Sequence, residues 1–370
     1  MNRARRTLRR TDAALAAALS LGAVGCVAGA LGDPAGFCGA WLCAFLIWLG
    51  VPLAAVTLVL VHDLTGGRWM ATARPALAAA SATMPLATLA GIPAFIGLAG
   101  LYRWAHPDAA PGNGFYLNAT GFLLRYAADV VVWNAVAAFA LLAPRDFAAP
   151  IAPGLSWLSG VGLVLLALST GFAALDWIMS LLPSFWSSIF PMIAGVGWFN
   201  TGLALVLVAV AGGLPRAAGD RSDHLADLAA ILLATTILWA YVAFCQFLIV
   251  WEENLKSEIP WYLDRLSGGW PVLLWIAVAL GFVVPFFVLL SRAAKRSRGV
   301  VAAMAGLILA SRVADIWWLV LPELPHPAPL WLAGAAFVAL GALMLLWFRA
   351  ALRHGPLRRG ARTAWEAGNG

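Results

Sequence analysis

Ten long apolar segments dominate this sequence, and each is long enough to cross a lipid bilayer. A transmembrane helix needs about 20 predominantly apolar residues, and Pro, Gly and charged residues separate the segments as expected for loops. The ten predicted helices span residues 13–31, 38–61, 76–101, 116–142, 154–175, 186–211, 225–250, 271–291, 300–321 and 328–348. We therefore expect an all-α, polytopic membrane protein. Its transmembrane domain covers residues 13–348, between a basic N-terminal segment 1–12 and a basic tail 349–370.

The composition excludes an ordinary soluble domain. Of the 370 residues, 62% are hydrophobic and 11% are charged, whereas soluble domains are roughly 45–50% apolar and about 25% charged. The net charge of +7 does not indicate nucleic-acid binding, because the basic residues lie in short loops and at the two ends of the chain. That distribution is typical of membrane orientation signals.

The Lys and Arg residues also predict the orientation. With the N-terminus inside, 19 of them fall in cytoplasmic segments and only three fall outside, namely Arg103, Lys256 and Arg265. This positive-inside distribution predicts a multi-pass protein of the bacterial inner (plasma) membrane with both termini in the cytoplasm. The basic N-terminus resembles a signal peptide, but no convincing cleavage site precedes Asp33, so we interpret it as an uncleaved first helix. The longest outer loop, 252–270, is either a docking surface or a solvated connector.

Two helix ends share a pattern that indicates an internal repeat. Asp176 is followed seven positions later by Pro183, and Asp315 is followed seven positions later by Pro322. The two helices are four apart and so have the same orientation. A duplicated four-helix unit would give two bundles, at about 38–175 and 186–321, with the first and last helices flanking them.

Charged residues inside the bilayer are expensive and therefore informative. Arg125 and Asp129 are spaced i,i+4, and Arg312 and Asp315 are spaced i,i+3, so each pair can neutralise itself within its own helix. The pairs either hold helices together or line a hydrated proton path or polar ligand pocket. Asp176 has no cation near it in sequence, and we expect it near the outer boundary, either hydrated or functional.

Polar residues that we expect to be buried within the predicted helices offer contacts for a quinone head group. A quinone presents two carbonyl acceptors and an apolar ring, so it needs donors beside aromatic side chains. The alternative role for each such residue is an interhelical hydrogen bond. The residues concerned are Tyr126, Asn134, Asn200, Tyr241 and Gln246.

The sequence predicts neither a bound metal nor a covalent cofactor. All five histidines fall in predicted loops or at predicted helix ends, so none supplies an axial ligand from a helix interior for a membrane haem. The four cysteines, Cys26, Cys38, Cys43 and Cys245, form no CxxC motif, so no iron–sulfur or zinc site is expected.

Several motifs resemble one family of respiratory membrane proteins. Residues 62–69, HDLTGGRW, are similar to the HHLTGG-x-W loop in membrane subunits of alternative complex III, a bacterial quinol:cytochrome c oxidoreductase. Residues 175–190 resemble that family's FDWxMSL-x-P-x-W-x-STIF segment, and residues 239–254 resemble its WAYIAFSQ-x-LIWYAN segment. The similarity covers roughly residues 50–325. It is strongest to the F-type subunit, the second quinone-binding subunit, which is related to polysulfide-reductase (NrfD-like) anchors.

The resemblance implies a specific function. It implies two four-helix bundles with two flanking helices, quinone contact or a proton path, and no redox centre in this subunit. Haem and iron–sulfur centres would belong to partners, namely other membrane subunits, periplasmic cytochrome c and iron–sulfur subunits. The chain departs from the family at Leu182-Pro183-Ser184, where the family often has an acidic residue, Pro and His, and in the loop from Asn254 to Glu258.

Two alternatives remain open: a structural anchor of another respiratory complex, and a secondary transporter. Transporters typically contain pairs of broken helices in their two halves. Here Pro85 and Pro93 are expected to break the third helix, and no second broken helix is predicted in the other half.

Overall fold

The computed structural model describes residues 2–67, 69–70, 72–106, 108, 113–143, 151–212 and 222–354. The predicted cytoplasmic residues Arg68, Arg145, Arg216 and Arg221, and the tail from residue 355 onward, lie outside this described part. Within it, the chain contains ten helices that are long and apolar enough to cross a membrane, and it contains no strand. The predicted fold class, an all-α polytopic membrane protein, is confirmed.

The ten helices follow the predicted segments closely, and most of their ends differ by a few residues. The largest difference is at the N-terminus, where the first helix begins at Asn2 and includes the predicted basic segment. The helices are α1 (Asn2–Gly32), α2 (Pro34–Thr65), α3 (Arg74–Ile96, in short segments), α4 (Ala119–Leu142), α5 (Pro153–Trp177), α6 (Phe190–Ala211), α7 (Ser222–Glu253), α8 (Trp270–Leu289, interrupted), α9 (Arg298–Val320) and α10 (Leu330–His354).

The first and last helices pack against each other and against α2. The Asp12 carboxylate joins their ends, since its Oδ1 accepts from Arg349 Nε at 2.8 Å and its Oδ2 lies 2.7 Å from Arg353 Nη2. The beginning of α1 and the end of α10 therefore lie at one face of the molecule, as ten crossings require. We call it the terminal face, and the other the opposite face.

The remaining eight helices pack as two groups of four. Helix α2 contacts α3, α4 and α5, whereas α6 contacts α7 and α9, and α9 contacts α8. The two groups meet where α2 lies along α6. Glycines permit this close approach. A Cβ at Gly50 would lie 2.6 Å from the Trp198 carbonyl oxygen, and a Cβ at Gly202 would lie 2.5 Å from the Gly50 carbonyl oxygen.

Helix α3 is broken, as its prolines predict. Its segments are Arg74–Ser81, Met84–Leu89 and Ile92–Ile96, and a proline stands near the start of each one. Proline has no N–H to donate to the preceding turn and clashes with it, so it favours the start of a helix over its interior.

Helix α8 is also irregular, although it runs as one continuous span from Trp270 to Leu289. A π-helical turn, Ala279–Val283, separates Trp270–Val278 from Val284–Leu289. The turn lies just before Pro285, which lacks the N–H that a regular helix would donate. Turns of this kind are frequent at functional sites. Among the ten described helices, α3 is the one divided into separate segments, whereas α8 stays continuous through its π-helical turn.

The long loop after α7 is only partly a solvated connector. Residues 252–257 are exposed, but the chain then forms a short helix, Ile259–Leu266, that packs back onto the bundle. We call it the loop helix. Trp261 is buried there, and Arg265 is completely inaccessible. The loop helix lies at the opposite face.

Candidate functional site

In the first group of helices, Arg125 of α4 binds Asp176 of α5. Two hydrogen bonds join them, from Nε to Oδ2 at 2.6 Å and from Nη2 to Oδ1 at 2.9 Å. The guanidinium also lies 4.0 Å above the Tyr116 ring and donates to the Tyr116 carbonyl at 3.1 Å. Asp176 is only 1% exposed. The predicted pairing of Arg125 with Asp129, and the hydrated alternative for Asp176, are both wrong. The facing helix presents both carboxylate oxygens to the planar guanidinium, which is the stronger geometry.

This exchange of partners leaves Asp129 without an ion-pair partner among the described residues. Its side chain is buried, and its Oδ2 atom has no hydrogen-bond partner among the residues that the structure describes. It lies one helical turn from Arg125, towards the terminal face. A buried polar group without a partner is uncommon and calls for an explanation.

Aromatic rings fill the interior of the first group next to this site. Phe95 of α3 lies 4.9 Å from Tyr126, 5.1 Å from Phe122, 5.6 Å from Trp177 and 5.9 Å from Phe45, measured between ring centroids. We call these five residues the aromatic cluster. They come from all four helices of the group.

Three of the polar residues suggested for quinone contact make interhelical hydrogen bonds instead. The Tyr126 hydroxyl donates to the Thr88 carbonyl, and the Asn134 amide donates to the Thr88 hydroxyl at 3.0 Å. The Asn200 amide donates to the Thr235 carbonyl at 3.3 Å. These contacts agree with the alternative role weighed for them.

In the second group, Arg312 and Asp315 pair within α9 as predicted. Arg312 Nη1 lies 3.1 Å from Asp315 Oδ2, and both side chains are buried. The guanidinium lies 4.0 Å above the Trp239 ring. Glycines make room for it, since a Cβ at Gly197 would lie 3.1 Å from Nη1 and one at Gly281, in the π-helical turn, 3.3 Å from Nη2.

A cavity of about 660 Å³ lies beside this pair. Residues of α6, α7, α8, α9 and the loop helix line it, and almost all of them are apolar. Asp315, Gln246 and Tyr241 are the predicted site residues that it brings together. The aromatic lining residues are Phe190, Trp239, Tyr241, Phe244, Phe247, Trp261, Tyr262, Trp275, Phe282 and Trp318.

Gln246 and Tyr241 occupy different parts of this cavity. Gln246 is 2% exposed, and its Oε1 accepts a hydrogen bond from the Ser187 hydroxyl, so the amide keeps its NH₂ group as a donor. Tyr241 is 64% exposed. Its interpretation as a buried polar group is wrong, because it lies on the outer side of α7, at the edge of the cavity.

Arg265 of the loop helix is a buried charged residue that the sequence analysis did not identify as a site residue. It donates to Glu323 Oε1 at 2.6 Å and to the carbonyls of Trp261 and Leu319 at 2.8 and 2.6 Å. Its guanidinium lies 3.8 Å above the Trp261 ring. Burial lowers the pKa of Arg265 to about 10, although Glu323 favours the charged form. One signal existed: Arg265 is one of three cations on the side that the positive-inside rule leaves poor in them.

No group of three or more His, Cys, Asp or Glu side chains that could hold a metal ion occurs among the described residues. The four cysteines are free thiols, and three of them are buried.

The described residues define a membrane protein with ten spanning helices, an arginine–aspartate ion pair in each group of four helices and an apolar cavity in the second group. No protein-family model matches this sequence, and no curated protein matches it. A more specific identification depends on the sequence motifs and the site geometry.

Proposed function

We propose that this protein is a membrane-embedded subunit of a respiratory quinol-oxidising electron-transfer complex, and that it contacts the quinone in the cavity beside Asp315. The observation that carries the proposal is the composition of that cavity, which combines an aromatic lining with a buried amide and a buried carboxylate. The motif similarity to alternative complex III subunits adds independent support.

The chemistry of a quinone suits this arrangement. Its ring is flat and apolar, and the buried aromatic side chains of the cavity, Phe190, Trp239, Trp261 and Trp318, offer surfaces against which it can stack. The Gln246 NH₂ group can donate to a quinone carbonyl, and the Asp315 carboxylate can accept from a quinol hydroxyl. Arg312 holds Asp315 in place. The electrons would pass to centres in partner subunits, namely cytochrome c and iron–sulfur proteins on the periplasmic side.

Asp129 supports a second role, as part of a proton path through the first group of helices. Asp176 and Asp315 are each held by an arginine, so protonating either one breaks an ion pair. Asp129 forms no ion pair within the described part of the chain, so it can take up and release a proton without breaking one. Buried ionisable residues of this kind are typical of proton relays in membranes.

The proposed orientation places the opposite face in the periplasm and both termini in the cytoplasm of a bacterial inner membrane. It follows from the distribution of 19 Lys and Arg residues against three. The cavity then lies in the periplasmic half of the membrane, on the side of the proposed cytochrome c and iron–sulfur partners.

Quinone binding to the purified protein in lipid nanodiscs tests the proposal. We expect a short-chain quinone to quench the tryptophan fluorescence saturably, because four tryptophans line the cavity. Gln246→Leu should weaken binding about tenfold, since a buried hydrogen bond to the ligand is lost. Thr170→Val is the matched control, because it lies in a separate apolar cavity of about 450 Å³ and should not change the affinity. Quenching that never saturates would contradict the proposal and leave the two alternative functions, a structural anchor and a secondary transporter.

A further inference from the structure

The cavity opens towards the lipid between α7 and α8. Three of its lining residues, Tyr241, Phe244 and Trp275, are also 64%, 60% and 68% exposed. The first two lie on α7 and the third on α8, in the membrane-spanning part of each helix. Exposed aromatic side chains at that position face lipid, so these three residues form the mouth of the cavity.

The packing of α7 explains why the mouth exists. On the terminal side, α7 packs against the π-helical turn Ala279–Val283, against Val284–Leu289 and against Arg292–Arg296. Its main contacts do not include Trp270–Val278, the first part of α8. The two helices therefore separate towards the opposite face, and the cavity lies in the space between them.

The loop helix closes the same space from the aqueous side. It contributes Trp261, Tyr262 and Leu266 to the cavity lining, and Trp261 stacks on Phe185 with ring centroids 4.8 Å apart. Arg265 binds Glu323 and the Leu319 carbonyl at the end of α9, which fixes the loop helix to the bundle. Its position above the cavity is thus held by a buried ion pair as well as by packing.

We infer that the ligand is a long-tailed, membrane-dissolved quinone that enters sideways from the lipid, with its tail leaving between Tyr241, Phe244 and Trp275. This inference rests on the proposed function. A cavity of about 660 Å³ accommodates a ring system of ordinary ligand size. A polyisoprenoid tail of many units is too large to fit inside as well, and the mouth gives it an apolar exit into the bilayer.

Quinones with the same ring and different tails separate this inference from the proposed function. In nanodiscs, Phe244→Ala should weaken binding of a quinone with eight isoprene units about fivefold, because one aromatic contact with the tail is lost. Binding of the tailless ring should change by less than about twofold. Leu248→Ala is the matched control, since Leu248 lies on the exposed side of α7 and does not line the cavity.

A second measurement does not depend on affinity. A quinone with a photoreactive group at the end of its tail should label α7 or α8 near the mouth, or lipid, and should not label the loop helix. Labelling of residues 259–266 would overturn the inference, as would an equal effect of Phe244→Ala on tailed and tailless quinones. If neither quinone binds the unmodified protein, the proposed function itself fails.

Discussion

Arg125 of α4 and Asp176 of α5 form a two-bonded ion pair between neighbouring helices, with N–O distances of 2.6 and 2.9 Å. The sequence spacing predicts that Arg125 pairs with Asp129. Because Arg125 binds Asp176 instead, Asp129 forms no ion pair with it. The same hydrogen bonds thus join two helices and leave the Asp129 Oδ2 atom, one turn away, without a hydrogen-bond partner among the described residues.

Removing one member of this pair should impair folding. Asp176→Ala leaves the Arg125 cation without its partner, and breaking a buried pair in this way costs about 3–5 kcal/mol. We expect a clearly lower melting temperature in detergent and less folded protein in the membrane. Arg125→Met combined with Asp176→Leu should recover much of the loss.

The pair of Arg349 with Asp12 provides the control for that experiment. It joins α1 and α10 at a partly exposed position, where ion pairs contribute only about 0–1 kcal/mol. Asp12→Asn should therefore change the melting temperature little. Equal melting temperatures for Asp176→Ala and Asp12→Asn would contradict the assigned importance of the Arg125–Asp176 pair.

Asp129→Asn should leave assembly intact and slow turnover. Asparagine keeps the shape of the side chain but cannot carry the proton, and general acid–base groups contribute roughly 10²–10⁴-fold where the proton transfer limits the rate. The measurement is quinol:cytochrome c turnover in membranes, normalised to the amount of assembled complex. Asn134→Ala, five residues further along α4, is the control for a purely structural effect. Unchanged turnover in Asp129→Asn would leave Asp129 without a role in proton transfer.

The loop helix should depend on arginine specifically. Lysine at position 265 carries the charge but cannot reproduce the forked contacts to Glu323, Leu319 and Trp261. We expect Arg265→Lys to make residues 254–269 sensitive to protease in nanodiscs, while Asp264→Asn at the exposed neighbouring position does not. Equal protease resistance in both variants would show that packing alone holds the loop helix.

The orientation can be tested by labelling single cysteines in intact cells, after the four native cysteines are replaced. A cysteine at Glu253 should react with a membrane-impermeant thiol reagent added outside the inner membrane, whereas one at Lys295 should react only after the cells are opened. The reverse pattern would exclude the proposed cytoplasmic location of the termini.

The helices were predictable from the sequence because the bilayer sets both their length and their composition. Each apolar segment of about 20 residues became a helix, and Pro85 and Pro93 marked the breaks in α3. The π-helical turn in α8 was not predicted. Its Gly281 packs closely against Ser311 of α9, where a Cβ would lie 2.6 Å from the hydroxyl oxygen. No local pattern reports such a contact between helices.

The site residues were predictable by type and only partly by partner. Spacing within one helix correctly paired Arg312 with Asp315, and it failed for Arg125 because Asp176 of another helix offers the better geometry. Arg265 was assigned to a loop because hydropathy treats a charged segment between two helices as exposed. Its burial depends on Glu323, 58 residues away in the sequence.

The central claim is that a quinone head group binds in the second group of helices and not in the first. Photolabelling with a quinone that carries its photoreactive group on the ring, followed by mass spectrometry of the labelled peptides, tests it most directly. We predict saturable labelling of residues 237–247 and 315–319, which line the cavity, and its loss when unlabelled quinone is added. Saturable labelling near Phe95 and Trp177 in the aromatic cluster, or labelling that excess quinone does not reduce, would contradict the account.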